Sequence, residues 1–474
     1  MATKIGLQLQ NLSATNPWWR DANWHASDPD LQEAKDHEIQ YNSGALTNLA
    51  PGCLYILRGP RRVGKTVAVK QAIKELLEQN IPAHCIVRLS TDGWSLDELR
   101  ELIWNVTLPT MPEGARRYWF IDEISAIKGG WDHVIKDLRD ENPEFRAATV
   151  VLTGSNAAAL TDAAGTLAGR RGKALDVERT LLPIGFASFV ELIEDGQQPP
   201  KPLIPVGDFR TPAAAKAFTD LIPWTNVLVK HWETYVLYGG FPAVVAAAKN
   251  GIPIPPDFIN TMFDVVQKDA LRTTRLDENT STSLQEKIWL RMSVPIVPAN
   301  IATELQIGRE VVVRHLEHLT DSFLVWDCEK KQAARWTPQA GARRKVYAVD
   351  PLVARLPHLR DSQRQDIDLT ILTEMMVGMA LRRRVIRDFN KSSAGGFIYY
   401  FTSKTRKEID FVSQYLGDAA LEGKYTQGSG WKTEAATVNA SQWDGILTTR
   451  NVLDVTGPDA WAVPTAFLCY LLDT

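Results

Sequence analysis

A glycine-rich string early in the chain has the residue types and spacing of a phosphate-binding loop. It reads "GPRRVGKT", the G-x-x-x-x-G-K-[ST] pattern, and it stands between an apolar strand and a helix. Glycines let the backbone curl so that amide groups point at phosphate oxygens, and the following helix adds its positive end. We expect Lys65 to reach the terminal phosphates and Thr66 to ligate Mg²⁺. The nucleotide-binding residues predicted with them are Gly59, Pro60, Arg61, Arg62, Val63, Gly64 and Val67.

An acidic pair follows a second apolar strand, in "YWFIDEIS" at 118–125. The carboxyl ends of parallel strands meet at one edge of a sheet, so this pair is expected beside the phosphate loop. Asp122 would hold Mg²⁺ through its waters, and Glu123 would polarise an attacking water. Such a pair alone is equally typical of a solvated strand end, but the upstream loop favours the catalytic interpretation.

Two further features fit phosphoryl transfer. In "TVVLTGSNA" a strand ends in small polar residues, which predicts that Thr153 or Ser155 lies near the γ-phosphate and senses hydrolysis. Downstream, "LAGRRGKALD" offers Arg170 and Arg171. Either could act as an arginine finger across a subunit boundary, which implies a homo-oligomer; the alternative is two ordinary surface arginines.

A third constellation lies near the C-terminus, in "EIDFVSQYLGDAALEGKY" at 408–425. Asp410 is expected on one strand, and the period of two puts Glu422 and Lys424 on one face of the next strand. The two carboxylates could share Mg²⁺ while Lys424 positions the attacking water. Glu374, on the apolar side of the preceding helix, is the candidate third acid. A working phosphodiester-cleaving site and a metal-site remnant both remain open.

The elements that must position these residues form a recognisable order. From 52 to about 193, apolar strands alternate with helices, which predicts a parallel, helix-flanked sheet. The Pro-rich stretch at 195–212 interrupts this pattern and is expected to be a linker or surface insertion. The predicted divisions are an N-terminal arm (1–45), a nucleotide-binding core (46–194), a linker insertion and helical lid (195–293), a helix-turn-helix with two strands (294–350) and a C-terminal α/β domain (351–474).

The helix, turn, helix and two strands at 294–350 are typical of a winged helix. An apolar stripe on the second helix predicts its buried face: Val312, Leu316, Leu319 and Phe323. Its outward face would carry Arg309, Arg314 and His318 alongside Glu310 and Glu317. The arginines could contact DNA phosphates or base edges, but the glutamates would repel a phosphate backbone, so a protein-contact role stays equally open.

Composition limits the partners and the compartment. The chain has 474 residues and a formal net charge of −3, so DNA contact is expected from local basic patches and not from the global field. Two such patches are "LRRRV" at 381–385 and "SKTRKE" at 403–408. The four cysteines lack metal-ligand spacing, and no apolar run is long enough for a membrane span. We expect a cytoplasmic protein without membrane contact.

The ordered set of motifs resembles archaeal-type ATPases of the AAA+/STAND P-loop class. It comprises "LRGPRRVGKT", "YWFIDE", "VVLTGS", "LAGR", "LLPIGFASFVEL", "YVLYGGFPAVV", "RRKVYAVDP", "EIDFV" and "LEGKY", and spans about residues 45 to 430. The resemblance implies an α/β fold: a P-loop AAA+ parallel-sheet core with a helical lid, a winged-helix domain and a C-terminal restriction-endonuclease-like domain. The D-x₁₁-E-x-K spacing itself is similar to the PD-(D/E)xK nuclease core, without the usual Pro before the Asp.

This resemblance implies a protein that hydrolyses ATP with Mg²⁺ and acts on DNA, with a possible Mg²⁺-dependent nuclease module. ATP is expected over GTP because "NKSS" at 390–393 lacks the Asp of a guanine-specific N-K-x-D. The competing interpretation is a nucleotide-controlled switch or scaffold whose C-terminal domains bind DNA or a protein without cleavage. A small-molecule kinase is disfavoured, because such an enzyme needs no winged helix.

Overall fold

The computed structural model describes residues 12–36, 39–106, 108, 111–154, 157–274, 276–389, 396–403 and 407–474, without the side chains of 34–36, 157–158, 161–162 and 267–274. The chain divides into two compact units. The first comprises Met1–Leu181 and Asp321–Phe323, and the second Leu182–Thr320 and Leu324–Thr474. Among the described residues, no helix has the length and apolar character needed to cross a membrane.

A parallel sheet forms the centre of the first unit, as predicted from the alternating strands and helices. Its described strands run in the order β2-β3-β4-β1-β5, and every neighbouring pair is parallel. Apolar residues cover both faces, so the first four strands are almost continuously buried. The strands are β1 (Leu54–Arg58), β2 (Ile86–Ser90), β3 (Tyr118–Asp122), β4 (Thr149–Thr153) and β5 (Glu178–Thr180).

Helices flank this sheet, and the N-terminal arm closes its β2 edge. The helices are α1 (Pro29–Asp36), α2 (Lys65–Glu78), α3 (Leu96–Asn105), α4 (Trp131–Glu141), α5 (Pro143–Ala147) and α6 (Ala157–Thr166). In the described part of the arm, the indoles of Trp18 and Trp19 both donate to the Ile86 carbonyl, at 3.1 and 2.8 Å. Lys70 on α2 binds Asp28 at 2.7 Å. The arm is therefore short helical turns packed on the core.

Among the described residues, eight α-helices precede the strands of the second unit, and four more lie between or after those strands. They are α7 (Phe186–Ile193), α8 (Pro212–Asp220), α9 (Thr225–Tyr238), α10 (Pro242–Lys249), α11 (Pro256–Thr274), α12 (Glu278–Trp289), α13 (Pro298–Leu305), α14 (Arg309–Asp321), α15 (Pro351–Arg360), α16 (Leu369–Phe389), α17 (Trp431–Asn439) and α18 (Thr465–Asp473). The Pro-rich stretch at 195–212 packs against the rest of this unit, because Tyr470 donates to the Pro199 carbonyl at 2.9 Å and Ile204 is buried.

A mixed sheet in the order β12-β11-β10-β9-β8-β6-β7 organises the C-terminal half. Its described strands are β6 (Val325–Lys330), β7 (Lys345–Ala348), β8 (Tyr399–Thr402), β9 (Glu408–Val412), β10 (Ala419–Thr426), β11 (Asp444–Thr449) and β12 (Trp461–Pro464). The helix, turn, helix and hairpin expected at 294–350 are α13, α14, β6 and β7. However, β6 also pairs in parallel with β8, so the hairpin belongs to the same sheet as the segment expected to form a separate domain from 351.

Helix α16 lies on this sheet at very close range. A Cβ built on Gly423 of β10 would come within 2.5 Å of the Glu374 Cα on α16. Only a glycine permits that approach without moving the backbone. The contact brings Glu374 over the strands that carry Asp410 and Glu422.

Candidate active site

The loop after β1 has backbone conformations that favour glycine. Gly59 has φ 154°, Arg62 has φ 64° and Gly64 has φ 99°, all in the positive region that glycine favours. A Cβ on Gly59 would lie 2.2 Å from the Leu181 carbonyl oxygen, so no larger residue fits there. Gly64 then caps the N-terminus of α2, whose first residue is Lys65. The curled backbone and helix end form an anion-binding cradle.

Lys65 lies across this cradle. Its side chain is buried, and Nζ donates to the Gly59 and Pro60 carbonyls, each at 2.9 Å. Burial lowers the pKa of Lys65 to about 8, and the charges of Glu123 and Asp122 oppose that shift. The ammonium is thus held inside the loop within range of both acidic residues.

Asp122 at the end of β3 is the point where the site's polar groups converge. It is buried, and its Oδ1 accepts a 2.5 Å hydrogen bond from Thr153 on β4. Its Oδ2 accepts from the Thr66 hydroxyl at 3.2 Å and from Arg88 Nη2 on β2 at 2.7 Å. Groups from α2, β2 and β4 therefore fix one carboxylate. Arg88 was not identified from the sequence as a site residue. The pattern that could have indicated it is a cation inside an apolar strand.

Glu123 leaves the strand in an unusual backbone conformation. Its φ is 56°, rare for a residue with a side chain, and its amide donates to the Thr153 hydroxyl at 3.1 Å. The same threonine thus orients both members of the acidic pair. The charge of Glu123 acts to raise the pKa of Lys65, more than that of Asp122 does.

The residues present fit a nucleotide with Mg²⁺. The Thr66 hydroxyl and the Asp122 carboxylate lie 3.2 Å apart, and Mg²⁺ characteristically takes one or two such protein oxygens together with phosphate oxygens and water. Within the described residues, no group of three or more His, Cys, Asp or Glu side chains is arranged to hold a metal ion. A cation at this site would therefore depend on the phosphates.

The remaining predictions at this site have different outcomes. Thr153 is placed at Asp122, whereas Ser155 lies outside the described residues. Arg171 lies at the start of β1, where its carbonyl accepts from Leu54, while the phosphate loop follows the opposite end of that strand. Arg170 and Arg171 bind Asp140 and Glu178 of their own chain, at 2.8 and 2.5 Å. Neither arginine contacts the phosphate loop of its own chain. A role as an arginine finger at the site of a neighbouring chain therefore stays a prediction.

The C-terminal residues predicted from their spacing do come together. Lys424 Nζ lies 3.2 Å from Asp410 Oδ2 and 3.5 Å from Glu422 Oε2. The Gly423 amide also donates to Asp410 Oδ2, at 3.0 Å. With Glu374 from α16, these side chains make one cluster on β9 and β10. We call it the carboxylate cluster, and it includes Lys345, Glu374, Glu408, Asp410, Glu422 and Lys424.

Lys345 on β7 was missed, and it changes the chemistry of the cluster. Its side chain is 0% exposed, and Nζ lies 3.0 Å from Glu374, 2.8 Å from Glu408 and 3.2 Å from Asp410. Burial lowers the pKa of Lys345, but the carboxylates outweigh it and leave that pKa well above the ordinary value. The ammonium contacts both Glu374 and Asp410, two of the three predicted metal ligands, and so takes the place of a metal ion shared by that pair. The cluster therefore does not fit a bridging Mg²⁺.

The carboxylates share this positive charge unequally. Burial would raise the pKa of Asp410, but Lys345 and Lys424 lower it to about 2. Burial and the Asp410 charge raise the pKa of Glu374 and raise that of Glu422 well above the ordinary range. Four carboxyls thus surround two ammonium groups in this cluster, and the ammonium groups lower the pKa of Asp410 the most.

The chain also contains a basic loop between β6 and β7. The stretch 331–344 contains four Lys or Arg residues and no Asp or Glu. Lys331 is buried there with Nζ 4.6 Å from the Trp336 ring centroid, which ties the loop to the sheet. Arg335 and Arg343 are exposed. The predicted stripe is buried, although Phe323 lies beyond the end of α14. The outward arginines alternate with exposed glutamates as expected, whereas His318 is only partly exposed.

Comparison with known proteins finds a family model that matches the part of the chain containing the first of these sites. The family model described as an AAA domain matches residues 53–190, and no curated protein matches the chain. Among solved structures, the Walker-type ATPase PABY2304 of Pyrococcus abyssi is 13% identical, with a TM-score of 0.40 and coverage of 69% of this chain and 95% of its own. The ORC2 protein of Aeropyrum pernix is 11% identical, with a TM-score of 0.33 and coverage of 70% and 93%. The match of residues 53–190 to the AAA-domain model supports ATPase activity.

Proposed function

We propose that this chain hydrolyses ATP in a Mg²⁺-dependent reaction at the loop formed by residues 59–66. The observation that carries the proposal is the convergence on Asp122, where Thr66, Thr153 and Arg88 donate to one buried carboxylate. Thr66 and Asp122 would hold Mg²⁺, which neutralises charge on the phosphates when bound. Lys65 and the loop amides bind the phosphates, and Glu123 polarises the attacking water.

The test separates binding from hydrolysis. Calorimetry with ATP and Mg²⁺ measures uptake, and phosphate release measures turnover. Lys65→Ala removes the buried ammonium and is expected to abolish uptake, whereas Glu123→Gln is expected to bind ATP but lose about 100-fold or more in turnover. Lys74→Ala is the matched control, because Lys74 is an exposed lysine on the same helix. Wild-type turnover by Glu123→Gln would remove the catalytic assignment.

We further propose that the protein acts on DNA through the basic loop at 331–344. The supporting observation is the exposure of Arg335 and Arg343 on an anchored loop that contains four cations and no carboxylate. Each arginine that neutralises a phosphate steepens the salt dependence of binding. Replacing both arginines with alanine is expected to weaken duplex binding and to lower the salt slope by about two. Lys216→Ala, an exposed lysine on α8, is the control.

The effect of DNA on ATP turnover also distinguishes an ATP-driven enzyme acting on DNA from a nucleotide-controlled switch. ATP turnover that rises with added DNA supports an ATP-driven action on DNA. Turnover that no DNA changes favours the nucleotide-controlled switch or scaffold. Equal DNA affinity and salt slope in the wild type and the double alanine variant would exclude the basic loop as the contact.

For the C-terminal module, we propose that it binds DNA or a protein partner without cleaving DNA. The observation favouring this role is the contact of the Lys345 ammonium with Glu374 and Asp410. Incubation with plasmid and linear DNA and Mg²⁺, with and without ATP, is expected to leave both DNAs intact. DNA loss that Lys424→Ala abolishes would instead establish the nuclease, since Lys424 is the residue predicted to position water.

A further inference from the structure

Arg88 is an ionic side chain in an otherwise apolar part of the first unit. It lies in β2, opposite Phe120 of β3, and its side chain is 14% exposed. Asn16 fixes its backbone on the outer edge, accepting from the Arg88 amide at 2.6 Å and donating to its carbonyl at 3.0 Å. Both edges of the strand are thereby held, and the guanidinium extends to the end of β3.

The guanidinium is poorly satisfied at this position. Its described hydrogen bond is the 2.7 Å contact from Nη2 to Asp122, and Nε is buried without a partner there. A buried donor without an acceptor is unfavourable, because it has lost its water. The contact with Asp122 therefore has to compensate for this burial.

The Asp122 oxygen that Arg88 binds is also the one that faces Thr66. Oδ2 accepts from Arg88 Nη2 at 2.7 Å and from the Thr66 hydroxyl at 3.2 Å. Thr66 and Asp122 are the residues that would hold Mg²⁺, and a cation near Oδ2 would face the positive charge of Arg88. The arginine and the metal ion therefore compete for one carboxylate.

We propose that Arg88 is a positioning residue that holds Asp122 in the metal-free site and raises the Mg²⁺ concentration needed to fill it. The inference depends on the proposed ATP site and goes beyond it, because it assigns a role in cation uptake to a residue outside both nucleotide motifs. Arg88 keeps the carboxylate oriented while no cation is bound, and it weakens that contact when Mg²⁺ arrives with the nucleotide.

The test measures Mg²⁺ uptake by binding, not by activity. A fluorescent ATP analogue is titrated into the full-length chain at a series of Mg²⁺ concentrations and in EDTA. Arg88→Gln, which removes the charge, is expected to lower the half-saturating Mg²⁺ concentration by about tenfold, the lower end for losing a charge-assisted hydrogen bond. Affinity in EDTA is expected to stay within about twofold, since the phosphate contacts are unchanged. Arg100→Gln removes an exposed arginine of the same unit and should change neither value.

Arg88→Lys separates charge from structure. It retains the positive charge with a shorter reach and is expected to keep a half-saturating Mg²⁺ concentration closer to that of the wild type. If circular dichroism shows that Arg88→Gln does not fold, the test uses Arg88→Lys alone. Arg88→Lys must then still need less Mg²⁺ than the wild type. Nucleotide uptake with an unchanged Mg²⁺ requirement in the folded variants overturns this inference alone. Absence of nucleotide uptake by the wild type overturns the proposed function with it.

Discussion

Replacing Lys345 with methionine is the most direct perturbation of the carboxylate cluster. The side chain keeps a similar length but loses the charge that contacts Glu374, Glu408 and Asp410 within 3.2 Å. The pKa of Lys345 is raised despite complete burial, so attraction to the carboxylates exceeds the cost of removing the ammonium from water. Breaking a buried ion pair from one side typically costs about 3–5 kcal/mol, and we expect a loss in that range.

Urea unfolding followed by fluorescence and circular dichroism measures this loss. Lys330→Met is the control, because Lys330 is a partly exposed lysine at the end of the neighbouring strand β6. The control is expected to change the free energy of unfolding by less than about 0.5 kcal/mol. A loss below about 1 kcal/mol for Lys345→Met would have the size of a surface pair and would refute the assignment of Lys345 as the internal cation.

Divalent ions provide a second readout of the same replacement. Without the ammonium, the carboxylates of Glu374 and Asp410 become available to a metal ion. Mg²⁺ or Mn²⁺ at a hundred times its Kd would then restore about 2.7 kcal/mol of stability to Lys345→Met. The wild type is expected to show no such gain from this cluster. Equal stabilisation of both proteins would show that a metal ion binds beside Lys345, contrary to the reasoning.

Three further predictions follow from the same contacts. The pKa of Glu422 is raised in the folded protein, so this carboxyl contributes stability that is fully present below its unfolded pKa and is lost as pH rises through its folded pKa. Glu422→Gln should therefore flatten the decline of the urea midpoint above about pH 4.3, the unfolded pKa of a glutamate. Gly59→Ala should abolish ATP uptake in calorimetry, because the new Cβ would lie 2.2 Å from a carbonyl oxygen; Gly44→Ala, also at positive φ but with open space, should retain it. If Arg170 or Arg171 is a finger, mixing a Lys65→Ala chain with an Arg170→Ala/Arg171→Ala chain should restore turnover, because one mixed interface has both parts. Unrestored turnover in an assembled mixture would remove that role.

Local patterns predicted the elements of both units well. The helix expected from Lys65 does begin there, and the strand expected over 116–123 runs from Tyr118 to Asp122. Such predictions succeed because strand burial and helix starts depend on neighbouring residues in the chain. The parallel pairing of β6 with β8 could not be predicted in this way, because it joins strands about 70 residues apart through backbone hydrogen bonds.

The two decisive cations were missed for a related reason. Arg88 and Lys345 each lie within a predicted strand, and alternation along a strand indicates which side chains are buried but not what they meet. Lys345 appeared in the sequence as one of three consecutive basic residues, typical of a solvated strand end. Its role depends on α16, whose approach over Gly423 brings Glu374 to it. Only the assembled fold brings those groups together.

The cations around Asp122 and Asp410 differ in a way that decides where metal chemistry is possible. Arg88 is 14% exposed and binds one carboxylate oxygen, so it can withdraw while Thr66 and Thr153 continue to hold Asp122. Lys345 has no exposed surface, and its departure would leave several buried carboxyls with Lys424 as the remaining cation. Such a departure carries the cost of uncompensated buried charge. A metal ion can therefore compete for Asp122, whereas the charge at Asp410 is already supplied by the chain itself.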